Sequence, residues 1–134
     1  MNKQDLDQVQ SEVNNTVIYE DDMVQYRRPE YWEEAGKYGD CEDYAIKKLH
    51  LLLKRGWDIK KLRLCIVWVG EKANDTGHAV LIAELDGRMY CLDNRADQVY
   101  EVNQNPEYVW NSIQRVGGER TWVTCESLFR RFGY

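Results

Sequence analysis

The segment Gly39-Asp40-Cys41-Glu42-Asp43-Tyr44-Ala45-Ile46-Lys47, with its continuation to position 56, decides the fold of this chain. Apolar residues recur there at helical spacing, which predicts an amphipathic helix over residues 41–55. Gly39 and Asp40 supply a turn and an N-cap before the helix, and Gly56 supplies the stop after it. The predicted buried face carries Cys41, Ala45, Leu49, Leu52 and Leu53, and the predicted solvent face carries Glu42, Lys47, Lys48 and Lys54.

Cys41 lies at the first turn of this predicted helix. Free backbone N–H groups and the helix dipole favour negative charge there, so we expect the pKa of the thiol to be lowered. The same N–H groups suit an oxyanion formed when sulfur attacks a carbonyl. The position therefore favours a nucleophile, and the alternative is that Cys41 is only the first core residue of the helix.

Three strands are predicted downstream of the helix. Residues 62–69 are rich in β-branched and aromatic side chains, and shorter runs of the same kind cover residues 78–85 and 88–93. Asp86 and Gly87 stand between the last two runs and are a two-residue hairpin signal. The order of helix first and antiparallel strands afterwards indicates an α+β domain.

The hairpin turn fixes the pairing register of these strands. Val80 should lie opposite Asp93, and His78 should be the diagonal neighbour of Asp93 on the same face of the sheet. An imidazole and a carboxylate then come within reach of each other. We expect this face, which also carries Val80, Ile82, Met89 and Cys91, to pack on the helix that begins at Cys41.

Cys41, His78 and Asp93 together predict a nucleophile, a base and a residue that orients the base. The carboxylate would fix the imidazole tautomer, and the thiolate would attack a carbonyl carbon. The structural alternatives are a strand-end histidine bound to Asp93 for stability, and a turn at Asp93 and Asn94. His50, the other histidine, lies two turns along the helix from Cys41 and is expected at the surface.

The remaining segments carry weaker patterns. We predict a helix over residues 3–15, irregular chain over 16–38 with one helical turn opening at Pro29, and a short strand over 99–102. For the C-terminal part we predict a helix over 107–116, a strand over 121–125 and a packed terminal helix over 126–134.

Composition narrows the function classes. The 134 residues fit one domain, residues 1–134, and the net charge of -5 argues against a nucleic-acid partner. There is no apolar run of membrane-spanning length, and the polar N-terminus has no signal-peptide core, which predicts a cytoplasmic protein without membrane insertion. The four cysteines have neither zinc-knuckle spacing nor a secretory context, so a structural zinc or a disulfide framework is not expected.

The nine residues from Gly39 to Lys47 resemble the nucleophile motif of the bacterial transglutaminase-like cysteine proteinases. The segments His78-Ala79-Val80-Leu81 and Leu92-Asp93-Asn94 resemble the histidine and aspartate motifs of that family, in the same order. Pro29 and Glu30 resemble its lead-in to the cysteine. The likeness covers roughly residues 14–95.

The resemblance implies a papain-like or transglutaminase-like α+β fold, with the nucleophile helix packed on an antiparallel sheet. It also implies a cysteine peptidase that hydrolyses an amide bond of a protein or peptide through Cys41, His78 and Asp93. The family includes a calcium-dependent periplasmic protease that clips an adhesin, in which acidic residues flanking the nucleophile are tied to calcium. Asp40 and Glu42 occupy those positions here, so calcium is the one cofactor implied.

The chain is shorter than the periplasmic members, and Tyr26 stands where the family pattern has a tryptophan. A compact version without a leader also fits a protein encoded by a phage or mobile element. Three other functions use the same fold: acyl transfer or deamidation at glutamine, cleavage of peptidoglycan cross-bridges, and protein binding without catalysis. The first two would use the same three residues.

Overall fold

Helices cover both faces of a six-stranded antiparallel sheet in the computed structural model, which describes residues 1–16, 18–19, 38–39, 41–69 and 76–134. The helices are α1 (Lys3–Thr16), α2 (Cys41–Lys54) and α3 (Cys125–Arg131), with 3₁₀ turns at Ile59–Lys61 and Val102–Gln104. The strands are β1 (Ile18–Tyr19), β2 (Tyr38–Gly39), β3 (Leu62–Val69), β4 (Thr76–Leu85), β5 (Arg88–Leu92), β6 (Tyr100–Glu101), β7 (Val109–Gln114) and β8 (Trp122–Thr124). The sheet order is β6-β5-β4-β3-β7-β8, and β1 pairs with β2 separately. None of the helices in these ranges is long and apolar enough to cross a bilayer.

Helix α2 confirms the predicted position of the helix, while its predicted N-cap, Asp40, lies outside the described residues. It begins at Cys41 and ends at Lys54, and Gly56 follows it with a φ of 92°. The backbone N–H of Gly56 bonds the carbonyl of Leu53, and that of Trp57 bonds the carbonyl of Leu52. A glycine in the left-handed region ends the helix because a Cβ is strained there.

Lys48 contradicts the predicted solvent face of α2. Its side chain is fully buried, with an exposed fraction of 0%. Helix α1 packs against α2, and both helices pack on the same face of the sheet, so α1 covers a second side of α2. The ammonium group of Lys48 donates a hydrogen bond to Gln10 on α1 at 2.7 Å. A lysine can be buried in this way because its charge has a polar partner.

The hairpin between β4 and β5 has the predicted turn and register. Leu85 pairs with Arg88, and Leu81 pairs with Leu92. Asp86 and Gly87 have φ angles of 53° and 77°, which match the two left-handed positions of a type I′ turn. The β5 ladder ends at Leu92, so Asp93 lies one residue beyond the strand that was predicted to include it.

The two faces of the sheet pack differently from our prediction. The face that carries Val80, Ile82, Met89 and Cys91 packs on α3 and forms one core cluster. The opposite face, with Leu81, Ala83 and Leu92, packs on α1 and α2 and forms the other. The predicted contact of the His78 face with the Cys41 helix is therefore wrong. Alternation along a strand defines two faces but cannot say which helix covers each of them.

The C-terminal segment corrects a second prediction. Residues 107–116 contain strand β7, not a helix, and β7 pairs with β3 on the side away from β4. The partner strand lies more than forty residues upstream, so local periodicity carried little information about the pairing. The predicted strand and terminal helix that follow are confirmed as β8 and α3, and Thr124 caps α3. The predicted helix at the N-terminus is confirmed as α1, whereas the turn at Pro29 lies outside the described residues.

Candidate active site

Cys41 opens helix α2, and its thiol is buried with an exposed fraction of 9%. The sulfur accepts a hydrogen bond from the backbone N–H of Ala79 at 3.4 Å, and the thiol donates to Oε2 of Glu42 at 3.4 Å. The contact with Ala79 places the sulfur beside strand β4, at the residue that follows His78 in the sequence. The positive end of the α2 dipole also favours a thiolate at this position.

His78 lies near the start of β4 and is also buried. Its Nε2 lies 2.7 Å from Oδ1 of Asp93, and its ring meets the ring of Tyr108 edge to face at 5.7 Å. Because the acidic partner occupies Nε2 and accepts from it, Nδ1 is the ring nitrogen that is left to exchange a proton elsewhere.

Asp93 immediately follows β5 and is 1% exposed. Its Oδ1 accepts from His78 and from the backbone N–H of Arg95 at 2.9 Å. Its Oδ2 accepts from the hydroxyls of Tyr100 at 3.0 Å and Tyr108 at 2.5 Å. Burial alone would raise the pKa of Asp93, but the hydrogen bond and charge of His78 and the donors at Tyr108 and Arg95 lower the pKa to about 2. The carboxylate is therefore ionised at neutral pH.

Sequence reasoning missed Tyr100 and Tyr108. Burial and the neighbouring Asp93 carboxylate raise the pKa of Tyr108, and burial and nearby negative charge raise that of Tyr100, so both stay protonated donors. Asn105 donates to the Tyr100 oxygen at 3.1 Å, which leaves the Tyr100 proton for Asp93. Neither tyrosine has a spacing that could have signalled this contact, because one lies on β6 and the other precedes β7.

The three predicted residues occupy one region, where β4 begins and β5 ends beside the first turn of α2. His78 and Asp93 are in direct contact, and Cys41 contacts the backbone of the residue after His78. Of the two acidic residues that the family resemblance suggests as calcium ligands, Glu42 is half-buried and accepts from the thiol, and Asp40 lies outside the described residues. Within the described ranges, no group of three or more His, Cys, Asp or Glu residues could hold a metal ion.

The fold is that of a transglutaminase-like cysteine peptidase. Residues 1–128 match the bacterial transglutaminase-like cysteine proteinase family (BTLCP), and the chain belongs to that family.

Three solved structures of LapG from Legionella pneumophila share the fold. LapG itself superposes with a TM-score of 0.72 at 21% identity, over 97% of this chain and 78% of LapG. The calcium-bound form gives 0.71 at 22% identity over 96% and 79%, and the EGTA-treated form gives 0.69 at 22% over 97% and 78%. No curated protein sequence matches the chain. The predicted α+β transglutaminase-like fold is therefore confirmed, together with the family.

Proposed function

We propose that this protein hydrolyses an amide bond in a protein or peptide, with Cys41 as nucleophile, His78 as general base and acid, and Asp93 as the residue that orients His78. The observation that carries the proposal is the buried 2.7 Å contact between His78 Nε2 and Asp93. Because Nε2 faces Asp93, Nδ1 points away from the carboxylate. The next residue, Ala79, donates its backbone N–H to the Cys41 sulfur.

The reaction follows from these roles. Nδ1 of His78 takes the thiol proton, and the thiolate of Cys41 attacks the amide carbonyl carbon. N–H groups at the start of α2 are suited to stabilise the oxyanion of the tetrahedral intermediate. The imidazolium then protonates the leaving amine as the C–N bond breaks, which leaves a thioester on Cys41. Water, deprotonated by His78, attacks the thioester, and the carboxylic acid leaves as the thiol is restored.

Asp93 supports the proton transfers without taking the proton itself. Its ionised carboxylate holds the Nε2–H tautomer of His78 and stabilises the imidazolium that forms in the first step. The low pKa of Asp93, about 2, keeps it charged throughout. Tyr100 and Tyr108 fix the second carboxylate oxygen, so the plane of the carboxylate cannot rotate away from the ring.

Calcium belongs to the proposal as a structural ion. Asp40 and Glu42 flank Cys41 and would supply carboxylate oxygens, the ligands that calcium prefers. LapG, which shares the fold, has been solved in calcium-bound and EGTA-treated forms. The Glu42 carboxylate accepts a hydrogen bond from the Cys41 thiol at 3.4 Å. Calcium would draw this carboxylate away from the thiol. Calcium should therefore change the reactivity of Cys41, and an equal alkylation rate with calcium and with EGTA would contradict this part.

The test of the proposal is the rate at which iodoacetamide alkylates Cys41, followed by mass spectrometry of the Cys41 peptide. At about pH 6 an ordinary thiol is only roughly 0.3% thiolate, so a rate well above that of free cysteine reports an activated thiol. His78→Ala should reduce the rate to that of free cysteine. His50→Ala is the matched control, because His50 is exposed on the same helix and should not affect the rate.

The other three cysteines are internal standards in the same digest, since each of them is 0% exposed whereas Cys41 is 9% exposed. A slow Cys41 that is indifferent to His78→Ala would refute the proposed roles. Protein binding on an inactive fold would then be the function to pursue.

A further inference from the structure

A chain of hydrogen bonds runs from the buried amine of Lys48 through Gln10 to the main chain of Asp93. The Lys48 Nζ donates to Oε1 of Gln10 at 2.7 Å, and both side chains are buried. Burial lowers the pKa of Lys48 to about 7, although the charge of Asp93 acts in the opposite direction. In its charged form the amine is a donor only, and its Nζ lies 2.7 Å from the amide oxygen of Gln10.

Lys48 acts together with the carbonyls of Asp93 and Ala96 to set which way the Gln10 amide is turned. An ammonium group can only donate, so it selects the orientation that offers it the amide oxygen. The amide nitrogen is thereby directed to the other side, where Nε2 donates to the carbonyl oxygens of Asp93 and Ala96, both at 2.8 Å. The reversed amide would set an N–H₂ group against the amine and an oxygen against two carbonyls.

Asn14 reinforces the same attachment from one turn further along α1. Its Nδ2 donates to the carbonyl of Asp93 at 3.1 Å and to that of Ala96 at 2.9 Å. The backbone N–H of Ala96 also bonds the Asp93 carbonyl, at 3.2 Å, and closes the turn. Asp93 is thus held on both sides, by amides of α1 at its main chain and by His78 and two phenols at its carboxylate.

We propose that Lys48 is a positioning residue, which through Gln10 locks the turn at residues 93–96 and so sets the Asp93 carboxylate against His78. This inference rests on the proposed function, because it assigns a purpose to the position of Asp93. It also explains why a lysine is fully buried between two helices, where an apolar side chain of similar length would fill the same space.

Packing and positioning make opposite predictions for Lys48→Met. If the side chain only fills space, methionine should leave the site unchanged, because replacing a buried charged group by an apolar one of similar volume is often neutral or stabilising. If Lys48 orients Gln10, the folded variant should lose the fixed amide, loosen the turn and disturb His78.

The imidazole nitrogens provide the direct measurement. The chain has two histidines, so a two-bond ¹H–¹⁵N spectrum of the labelled protein contains two ring systems. His78 should show the Nε2–H tautomer in the wild type and a mixture of tautomers in Lys48→Met, while His50 stays unchanged and serves as the internal reference. Lys54→Met, on the exposed end of the same helix, is the matched control and should leave both ring systems unaltered.

Reactivity provides the second measurement. Iodoacetamide alkylation of Cys41 should fall about tenfold in Lys48→Met, less than the roughly hundredfold that a 1 Å displacement of a reacting group can cost. Gln10→Glu is a second variant in case Lys48→Met does not fold. It keeps an acceptor for Lys48 but replaces the donor that holds the two carbonyls, so the same changes in His78 and Cys41 are expected.

A folded Lys48→Met variant with wild-type His78 signals and wild-type alkylation would overturn the inference. So would a folded Gln10→Glu variant with the same wild-type readings. Failure of the proposed function looks different, because the wild type itself would then show slow alkylation of Cys41. In that case the tautomer of His78 would still report whether Lys48 positions Asp93.

Discussion

Tyr108→Phe removes one hydroxyl from the Asp93 carboxylate and leaves the rest of the site intact. The phenylalanine ring can keep the edge contacts that Tyr108 makes with His78 at 5.7 Å and with Trp110 at 5.8 Å. Tyr100 still donates to Oδ2, and Oδ1 keeps both of its donors. The substitution therefore isolates a single buried hydrogen bond to a charged acceptor.

Its magnitude is that of one buried hydrogen bond to an ionised carboxylate. The pKa of Asp93, lowered from 3.8 to about 2, is the net result of burial, which raises it, and of His78, Tyr108 and Arg95, which lower it, so Tyr108 accounts for only part of the shift. A hydrogen bond to a charged group contributes about 2 kcal/mol. Tyr108→Phe should therefore lower the free energy of unfolding by about 2 kcal/mol at neutral pH and return the pKa of Asp93 toward 3.8.

The pH dependence of this stability difference shows whether the ionised Asp93 carboxylate causes it. The folded pKa of Asp93 lies below the unfolded one, so its contribution is complete above pH 3.8 and is lost as the pH falls through about 2. The difference between wild type and Tyr108→Phe should shrink in that window, because a bond from a phenol to a neutral carboxyl is roughly half as strong.

Urea unfolding followed by tryptophan fluorescence measures this difference at neutral and acid pH. Tyr90→Phe is the matched control, because its hydroxyl has no hydrogen-bond partner within the described part of the chain, and it should change the stability by less than about 0.5 kcal/mol. An unchanged Tyr108→Phe midpoint at neutral pH, or a difference that stays constant in acid, would refute the reasoning.

Three further predictions concern the site and its support. Cys41→Ala should abolish turnover and alkylation at position 41 but keep the fold, because alanine is a good helix former. A circular dichroism spectrum of an unfolded variant would instead indicate that Cys41 is needed as a core residue. Asp93→Asn should remove most Cys41 reactivity. It should also reduce the loss of stability that the wild type shows as the pH falls from 3.8 to about 2. An unchanged loss of stability in urea titrations would mean that another carboxylate causes it. Gly117→Ala should destabilise the fold by about 3 kcal/mol or more, because its Cβ would clash with the backbone oxygens of Ile59 and Leu62, whereas Gly87→Ala meets open space and should cost about 1 kcal/mol. Similar melting temperatures for the two glycine variants would contradict that comparison.

The elements that the sequence predicted well are those fixed by neighbours along the chain. Helix α2 begins at Cys41 because the first apolar position and the turn residues before it are local signals. The register of β4 and β5 follows from Asp86 and Gly87 alone, since only certain residues accept a type I′ turn. Because register determines which side chains are neighbours, the contact between His78 and Asp93 was also predictable.

Long-range packing decided the rest. The sequence by itself determined where the thiol, the imidazole and the carboxylate stand in their elements, because turns and helix starts are encoded within a few residues. Only the tertiary structure decided that β7 pairs with β3, that α1 buries Lys48 against α2, and that two tyrosines from outside the hairpin bind Asp93. These contacts join residues far apart in sequence, and their free energy depends on burial and on partners that no local pattern specifies.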